Sequence, residues 1–425
     1  MSFLKWMYPG MRVKRWLVLL TFGIVLISLG LGYFLVNVYR TERFPPVAYY
    51  LTLQPIGRIW RGLLFSALGI GSVVIAIMQL NRSVVSVLLP EGDRLVDHVY
   101  LRRRLSRRPR IVCIGGGHGL SNLLRGLKEY TSNLTAIVTV ADDGGSSGRL
   151  RAELGMLPPG DFRQCLVALS DAEPLMSELF QYRFDGGNGL HGHSFGNLFL
   201  AAMIGVTGNF DQALRESSRV LNVRGQILPS TLATVTLSAE LADSRVVAGE
   251  HHITAAGGGI RRVALEPATV DAYPEAIAAI RNADMVVIGP GSLYTSVLPN
   301  LLVEGIAAAL RESMALRVYV CNVATEAGET DHYDVAEHVA AMERHVGSGI
   351  LDVVLANDRP VSPTCGPIER VGLDGVAWQR DRPQVVLGDV VDSEQPTYHD
   401  PAKLAERLMR LYDERTAAPN GLSDT

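Results

Sequence analysis

The chain has 425 residues, 48% of them hydrophobic and 20% charged, with 4 cysteines, 42 glycines and a formal net charge of −3. That size and composition exclude a disulfide-stapled mini-protein and a disordered chain. The charge is unevenly divided: residues 1–110 carry 16 Lys and Arg against 4 Asp and Glu (+12), and residues 111–425 carry 24 against 39 (−15). So acidic a C-terminal part excludes nucleic acid as its partner, because neutralising phosphates needs a basic face.

Residues 16–38 form 23 positions without a charge, and residues 63–80 form another 18. Each can cross a hydrocarbon core as a helix. The first is longer than the apolar part of a signal peptide and ends in no small-residue cleavage site, so it reads as a span. Lys5, Arg12, Lys14 and Arg15 precede it; Arg82, Arg94 and the run Arg102, Arg103, Arg104, Arg107, Arg108 and Arg110 follow the second. By the positive-inside rule both ends face the cytoplasm, although Arg40, Arg43, Arg58 and Arg61 lie in the connection around Pro45-Pro46. Beside a membrane the basic run attracts anionic lipid headgroups, at about 1 kcal/mol per residue. With both ends inside, the glycosylation-type sequences at Asn81 and Asn133 are chance matches. The expected organisation is a basic cytoplasmic N-terminus (1–15), two transmembrane helices with a short loop (16–80), a basic juxtamembrane linker (81–109), a cytoplasmic domain (110–413) and a flexible tail (414–425).

From residue 110 short β-branched runs alternate with glycine-rich turns and amphipathic stretches, the pattern of an α/β fold with a mostly parallel sheet. Strands are expected at 110–114, 134–140, 234–237, 262–265, 285–288, 317–321, 353–355 and 384–387. Helices are expected from about 120 and at 174–183, 195–204, 210–221, 272–282, 301–312, 333–345 and 400–413. No internal repeat is evident.

The first strand runs into Gly115, Gly116, Gly117, His118 and Gly119, a turn whose backbone N–H groups can approach a phosphate closely. It is not a dinucleotide fingerprint, because Leu120 or Asn122 stands where the last glycine belongs, and no Walker motif occurs. The next strand ends in Asp142, Asp143, Gly144, Gly145, Ser146, Ser147, Gly148 and Arg149. These bring carboxylate acceptors, hydroxyl and backbone donors and a guanidinium into one crevice, which suits a nucleotide with a diphosphate. Asp142 and Asp143 are also hard-oxygen ligands for Mg²⁺, whose shell phosphates usually complete. Further on, His193, Ser194, Phe195, Gly196 and Asn197 open an apolar helix. Ser194 reads as its cap and Asn197 as a ligand contact. A zinc reading of His191 and His193 finds no support, because Cys113, Cys165, Cys321 and Cys365 make no CxxC pair and no HExxH exists. Gly289, Pro290, Gly291, Ser292 and Tyr294 follow one later strand, and Asn322, Thr325, Glu329 and Thr330 another. These loops all follow strand C-termini, where open α/β sheets bind ligands.

The segments IVCIGGGHGLSNLLRGLK, VTVADDGGSSGRLR, PPGDFRQCLVALSD, LHGHSFGNLFLAA, VIGPGSLYTSVLPNLLV and CNVATEAGETDHYD resemble the gluconeogenesis factor family (YvcK-like), relatives of 2-phospho-L-lactate transferase. The resemblance runs from about residue 110 to 410. It implies a Rossmann-like core with helices on both faces, a bound UDP-sugar such as UDP-N-acetylglucosamine, and a role in cell shape and peptidoglycan synthesis during gluconeogenic growth. Carried over by position, Asp142 to Arg149, Asp161, His193 to Asn197, Gly289 to Tyr294 and, in the last loop, Asn322, Thr325, Gly328, Glu329 and Thr330 match the family pattern. Ala324 and Glu326 depart from it, where Met and Gln are expected. The two spans also depart from the many soluble members and suggest tethering where the cell envelope is built.

Three functions follow as expectations. The first is a membrane-tethered nucleotide-sugar sensor that requires no cofactor, since no nucleophile–base pair is evident, and that signals to cell-wall synthesis or metabolic proteins, with homodimerisation through an edge strand or helix. The second is a phosphotransferase of the 2-phospho-L-lactate transferase type, with Mg²⁺ on the nucleotide diphosphate. The third is a membrane scaffold with a vestigial cleft.

Overall fold

The computed structural model describes residues 22, 24–32, 36, 53, 55–88, 105–171, 174–187, 189–359, 369–373 and 383–417. The chain forms two compact units, Met1–Arg104 and Leu105–Thr425. In the first, helix α1 (Arg58–Leu88) contains Ile59–Gln79, the one stretch among the described residues long and apolar enough to cross a membrane. Its Ile59, Trp60, Leu63, Leu68, Ile70 and Ile75 are all exposed, an apolar surface that a protein core does not cover. This helix contains the second expected span, starts before it, and continues into the expected linker. Of the first expected span, residues 22, 24–32 and 36 are helical. Its remainder, the turn at Pro45-Pro46, residues 89–104, Cys365 and the tail beyond 417 lie outside the described residues. The two-helix hairpin is therefore represented by one helix of spanning length.

The second unit begins with β1 (Ile111–Gly115), α2 (Gly117–Leu127), β2 (Leu134–Val138), α3 (Gly145–Leu154), α4 (Gly160–Leu169), α5 (Pro174–Gln181), α6 (Phe195–Thr207), α7 (Phe210–Val220) and β3 (Gln226–Pro229). An insertion follows: β4 (Thr236–Leu241), β5 (Val246–Ala248), α8 (Glu250–Ala256) and β6 (Ile260–Glu266). The chain returns through α9 (Pro274–Arg281), β7 (Met285–Ile288), a π-helical turn (Leu293–Val297), α10 (Leu298–Leu301), α11 (Ile306–Glu312), β8 (Leu316–Val320), α12 (Val335–Val346), β9 (Val353–Asn357), β10 (Gln384–Gly388) and α13 (Pro401–Ala417).

Seven strands make one parallel sheet in the order β10-β9-β8-β7-β1-β2-β3. Its central strands β1, β7 and β9 are buried at every position, as expected where helices cover both faces of a sheet. From β1 the chain moves one way across the sheet, and from β7 the other way. Right-handed crossovers therefore put the β1–β3 helices on one face and α11 and α12 on the opposite one. Helix α2 buries Leu120, Leu123, Leu124 and Leu127 completely, a spacing that keeps one face turned inward. The helix packs against α4 and α13.

Three strands form a separate antiparallel sheet, β5-β4-β6, with Leu237 opposite Leu265 and Ala239 opposite Val263. The strands expected at 234–237 and 262–265 belong here and not to the main sheet. The expected helix 301–312 is interrupted, because Gly305 takes a left-handed conformation (φ 91°) between α10 and α11. Helix α13 continues to Ala417, past the expected start of the tail at 414.

Gly126 fixes the approach of α13: a Cβ there would overlap the Pro401 carbonyl and lie 2.9 Å from Ala405 Cβ. Gly126→Ala is expected to cost on the order of 3 kcal/mol through overpacking. Urea denaturation of the variant checks it, and an unchanged midpoint would contradict it.

Candidate functional site

The sheet order reverses between β1 and β7, and open α/β sheets bind ligands outside the strand C-termini at such a point. Here the turns after β1 and β7 almost interlock. A Cβ on Gly119 would run into the Pro290 carbonyl and lie 2.9 Å from Gly291 N. A Cβ on Gly116 would lie 2.5 Å from Asp161 Oδ2 and 2.8 Å from Thr139 Cγ2. Asn300 braces the turn by donating from Nδ2 to the carbonyls of Gly115 (3.1 Å) and Ser296 (2.8 Å). Gly115, Gly116, Gly117 and Gly119 thus form a backbone-lined cradle at the N-terminus of α2, where N–H groups favour an anion.

The segment after β2 is the start of α3 and not an open loop, for Gly145 to Arg149 form its first turn. Asp142 Oδ1 accepts from Gly144 N–H (2.9 Å), and Asp143 Oδ1 accepts from His251 N–H (2.9 Å). Gly148 is required because a Cβ would overlap the Asp143 carbonyl. A Cβ on Gly160 would lie 2.5 Å from Ser147 Oγ and 3.0 Å from Asp142 Oδ2, so the start of α4 closes on that of α3. Arg149 is exposed and donates from Nη2 to the His191 carbonyl (2.8 Å).

Ser194 caps α6, accepting from Asn197 N–H at 3.3 Å. Asn197 Nδ2 donates to Ser146 Oγ (3.0 Å), which lies 2.9 Å from His193 Nδ1. Burial, then the Arg149 charge, lowers the His193 pKa. A hydroxyl–imidazole pair that the sequence did not reveal is therefore present. Ser146 and His193 are only 5% and 3% exposed, so the pair ties α3 to α6. Phe195 packs edge-on against Phe180 (5.6 Å), and a Cβ on Gly196 would lie 2.6 Å from Arg163 Cδ. These two are packing residues.

After β7, Gly291 N–H donates to Asn322 Oδ1 (3.3 Å), and Ser292 hydrogen-bonds Glu326. Gly289 holds a left-handed conformation (φ 74°) beneath the Val320 carbonyl. Tyr294 does not face a ligand: it is fully buried, with its hydroxyl 2.9 Å from that of Tyr333. Thr325 accepts from Glu369 N–H (2.9 Å), and Thr330 Oγ1 accepts from Glu326 N–H (2.9 Å). Both therefore shape the loop after β8. Glu329 Oε1 accepts from Thr295 (3.1 Å) and Thr254 (3.2 Å). Glu326, which departs from the family pattern, lies within reach of Asn322 Nδ2 (3.4 Å).

These contacts join all five loops around a concentration of carboxylates. Burial, reinforced by the Asp142 charge, pushes Asp161 up to about 7, despite a hydrogen bond from Gly117 N–H. Burial and then the charges of Asp142, Asp161, Asp143 and Glu329 push Glu250 up to about 8. Burial likewise raises Asp142 and Glu326, and with the Glu326 charge it takes Glu329 to about 7. Glu250, Arg163, Asn300 and Thr139 were not singled out from the sequence. The only signal for Arg163 was its place two residues after Asp161, and for Glu250 there was none.

Among the described residues no group of three or more His, Cys, Asp or Glu is arranged to hold a metal. Magnesium needs fewer, one or two carboxylates with phosphate oxygens completing the shell. The expected pair Asp142 and Asp143 and the neighbouring Asp161 are the carboxylates available for such a shell, each accepting one backbone N–H, from Gly144, His251 and Gly117 respectively.

A Rossmann-type parallel sheet with glycine-lined turns and clustered carboxylates at its switch point defines a doubly wound α/β protein. The family described as 2-phospho-L-lactate transferase CofD matches residues 111–380. The gluconeogenesis factor of Bacillus subtilis (strain 168) is 49% identical over 323 residues, which span 73% of this chain and 100% of that protein. A relative from Nostoc sp. (strain PCC 7120) is 46% identical over 429 residues, spanning 96% of this chain and 92% of its own. A crystal structure of a Bacillus halodurans protein superposes with a TM-score of 0.68 at 48% identity, covering 71% of this chain and 99% of that one. A second structure, titled as a member of the UPF0052 family from the same organism, gives 0.67 at 46% identity, covering 71% of this chain and 100% of that one. The chain belongs to the gluconeogenesis factor family and carries a CofD-type domain.

The raised Asp161 pKa has a stability consequence. Its carboxyl ionises near pH 4 when unfolded and near 7 when folded, so the native state loses stability as pH rises between those values. Asp161→Asn is expected to gain stability over wild type across that window, on the order of 2 kcal/mol after allowance for solvent screening, and to show no gain at pH 4. Thermal melts from pH 4 to 8 check this. An equal offset at every pH would contradict it.

Proposed function

We propose that this chain is a membrane-anchored nucleotide-sugar-binding protein whose ligand lies across the crevice between β1 and β7. The observation that carries the reading is the unbroken set of contacts joining the N-termini of α2, α3, α4 and α6 with the loops after β7 and β8. A diphosphate on the N–H groups of α2 and α3 gains from both helix ends. The same diphosphate meets Asp142 and Asp161, and two anions share that space only if protons or a divalent cation intervene. Magnesium held by Asp142 and Asp161, with Asp143 alongside, supplies that cation and clamps the phosphates. Arg149 at the rim adds a guanidinium for the outer phosphate.

The ligand class is a UDP-sugar of the UDP-N-acetylglucosamine type, and the output is regulatory: the occupied domain signals to proteins of cell-wall synthesis and cell shape during growth on gluconeogenic carbon. The Bacillus subtilis relative, a gluconeogenesis factor, and α1 as a membrane span support this placement. A second span within residues 16–38 and the basic flanks of both put the domain in the cytoplasm. A second reading, phosphotransfer of the CofD type, draws on the family match and on Asp161. With a pKa near 7, that carboxyl could exchange a proton at neutral pH.

Calorimetry of the full chain in detergent with UDP-N-acetylglucosamine, with and without Mg²⁺, tests the proposal. Binding is expected in the range of about 1–100 µM, stronger with Mg²⁺ and about tenfold weaker in Arg149→Ala. No heat under any condition would overturn it and leave a scaffold with a vestigial cleft. Release of UMP only when an acceptor alcohol is added, with the sugar phosphoryl group recovered as a phosphodiester of that alcohol, and loss of both products in Asp161→Asn, would instead establish the transferase.

A further inference from the structure

Three arginines surround one short strip of chain, residues 191–196. Arg149 Nη2 donates to the His191 carbonyl at 2.8 Å, and Arg183 Nη1 to the Gly192 carbonyl at 3.2 Å. The Arg163 side chain lies over Gly196, where a Cβ would come within 2.6 Å of its Cδ. Among the described residues the side-chain hydrogen bonds of all three go to main-chain carbonyls, and none forms an ion pair. Carboxylates outnumber Lys and Arg by 39 to 24 beyond residue 110, so three cations gathered without a carboxylate partner run against the charge balance of the domain.

Arg163 is the least satisfied of them. It is 8% exposed. Its Nε is buried with no acceptor, and Nη1 has only the Phe180 carbonyl at 3.4 Å. Nη2, which burial does not close off, makes no hydrogen bond among the described residues. Asp161 acts on the guanidinium through its charge but does not pair with it, and Arg183 repels it. The Arg163 charge is also felt by His118, in the turn after β1, so the guanidinium stands between that turn and the first turn of α6. A guanidinium held there without a counter-ion is costly, and an anion would complete it.

We propose that Arg163 and Arg183 form an anion subsite at the sugar end of the crevice, and that the ligand carries an acid group on its sugar. The inference rests on the nucleotide-sugar reading and narrows it to nucleotide sugar acids. Arg149 serves the outer phosphate, which leaves the other two guanidinium groups for a carboxylate, whose oxygens match their N–H donors. The N-terminal end of α6, capped by Ser194, adds partial positive charge beside them. A neutral sugar in the same place leaves Arg163 as unsatisfied as before.

Calorimetry of the full chain in detergent with Mg²⁺ tests the subsite by comparing UDP-glucuronic acid with UDP-glucose, which has a hydroxymethyl group in place of the carboxylate. UDP-glucuronic acid is expected to bind about tenfold more tightly. Arg183→Ala, at an exposed position, should bring the ratio of the two affinities to about one, and so should Arg163→Gln if a thermal melt shows it folded. Arg149→Ala should weaken both ligands alike and keep their ratio, because it acts on the phosphate. Equal binding of the two sugars, or a preference that survives either replacement in a folded protein, would overturn the subsite and leave the nucleotide-sugar reading standing. If UDP-N-acetylglucosamine binds and UDP-glucuronic acid does not, the subsite falls alone; if neither binds, both fall.

Discussion

The distance between two turns governs this domain. The chain can bring the loop after β1 against the loop after β7 only because Gly119 has no side chain to strike the Pro290 carbonyl. Asn300 then holds the first loop by its Gly115 carbonyl and the start of the following helix by its Ser296 carbonyl. Once those strands meet, the helix starts that follow β1 and β2 have their free N–H groups pointed at one crevice. The glycines of α3 and α4 repeat the device, Gly148 under the Asp143 carbonyl and Gly160 beside Ser147. Close backbone contact, more than any single side chain, makes the site.

That closeness concentrates negative charge. Asp142, Asp161 and Glu250 sit where burial and mutual repulsion both favour the proton-bound form. A domain with 39 Asp and Glu against 24 Lys and Arg beyond residue 110 offers little to offset them from a distance. The arrangement is costly as it stands, and the proposed magnesium, bridging it to a phosphate, would offset that cost. Glu329 joins this group, with one oxygen tied to Thr295 and Thr254.

Much of the main sheet was legible because its buried strands are continuous β-branched runs, as in IVCIG and MVVI. The edge strand β3 escaped because four residues, QILP, carry no period. Helix α3 escaped because GSSGR has poor helix propensity, and close packing of Gly148 overrides it. The glycine-rich and acidic loops announced a crevice at the strand C-termini, yet the motif letters could not say which side chains face it. Tyr294 turns into the core toward Tyr333, and Thr325 and Thr330 hold their own loop. Glu250 went unseen because its neighbours in space, Asp142 and Asp161, are about a hundred residues away in sequence and only the β4-β5-β6 insertion brings it to them.

Hydrogen–deuterium exchange of the full chain with UDP-N-acetylglucosamine and Mg²⁺ addresses the central claim most directly, that the loops at the switch point form one site. Slowed exchange is expected together at residues 115–120, 143–149 and 289–296, with the N-terminal end of β1 unchanged. Protection confined to a single one of these loops would contradict it.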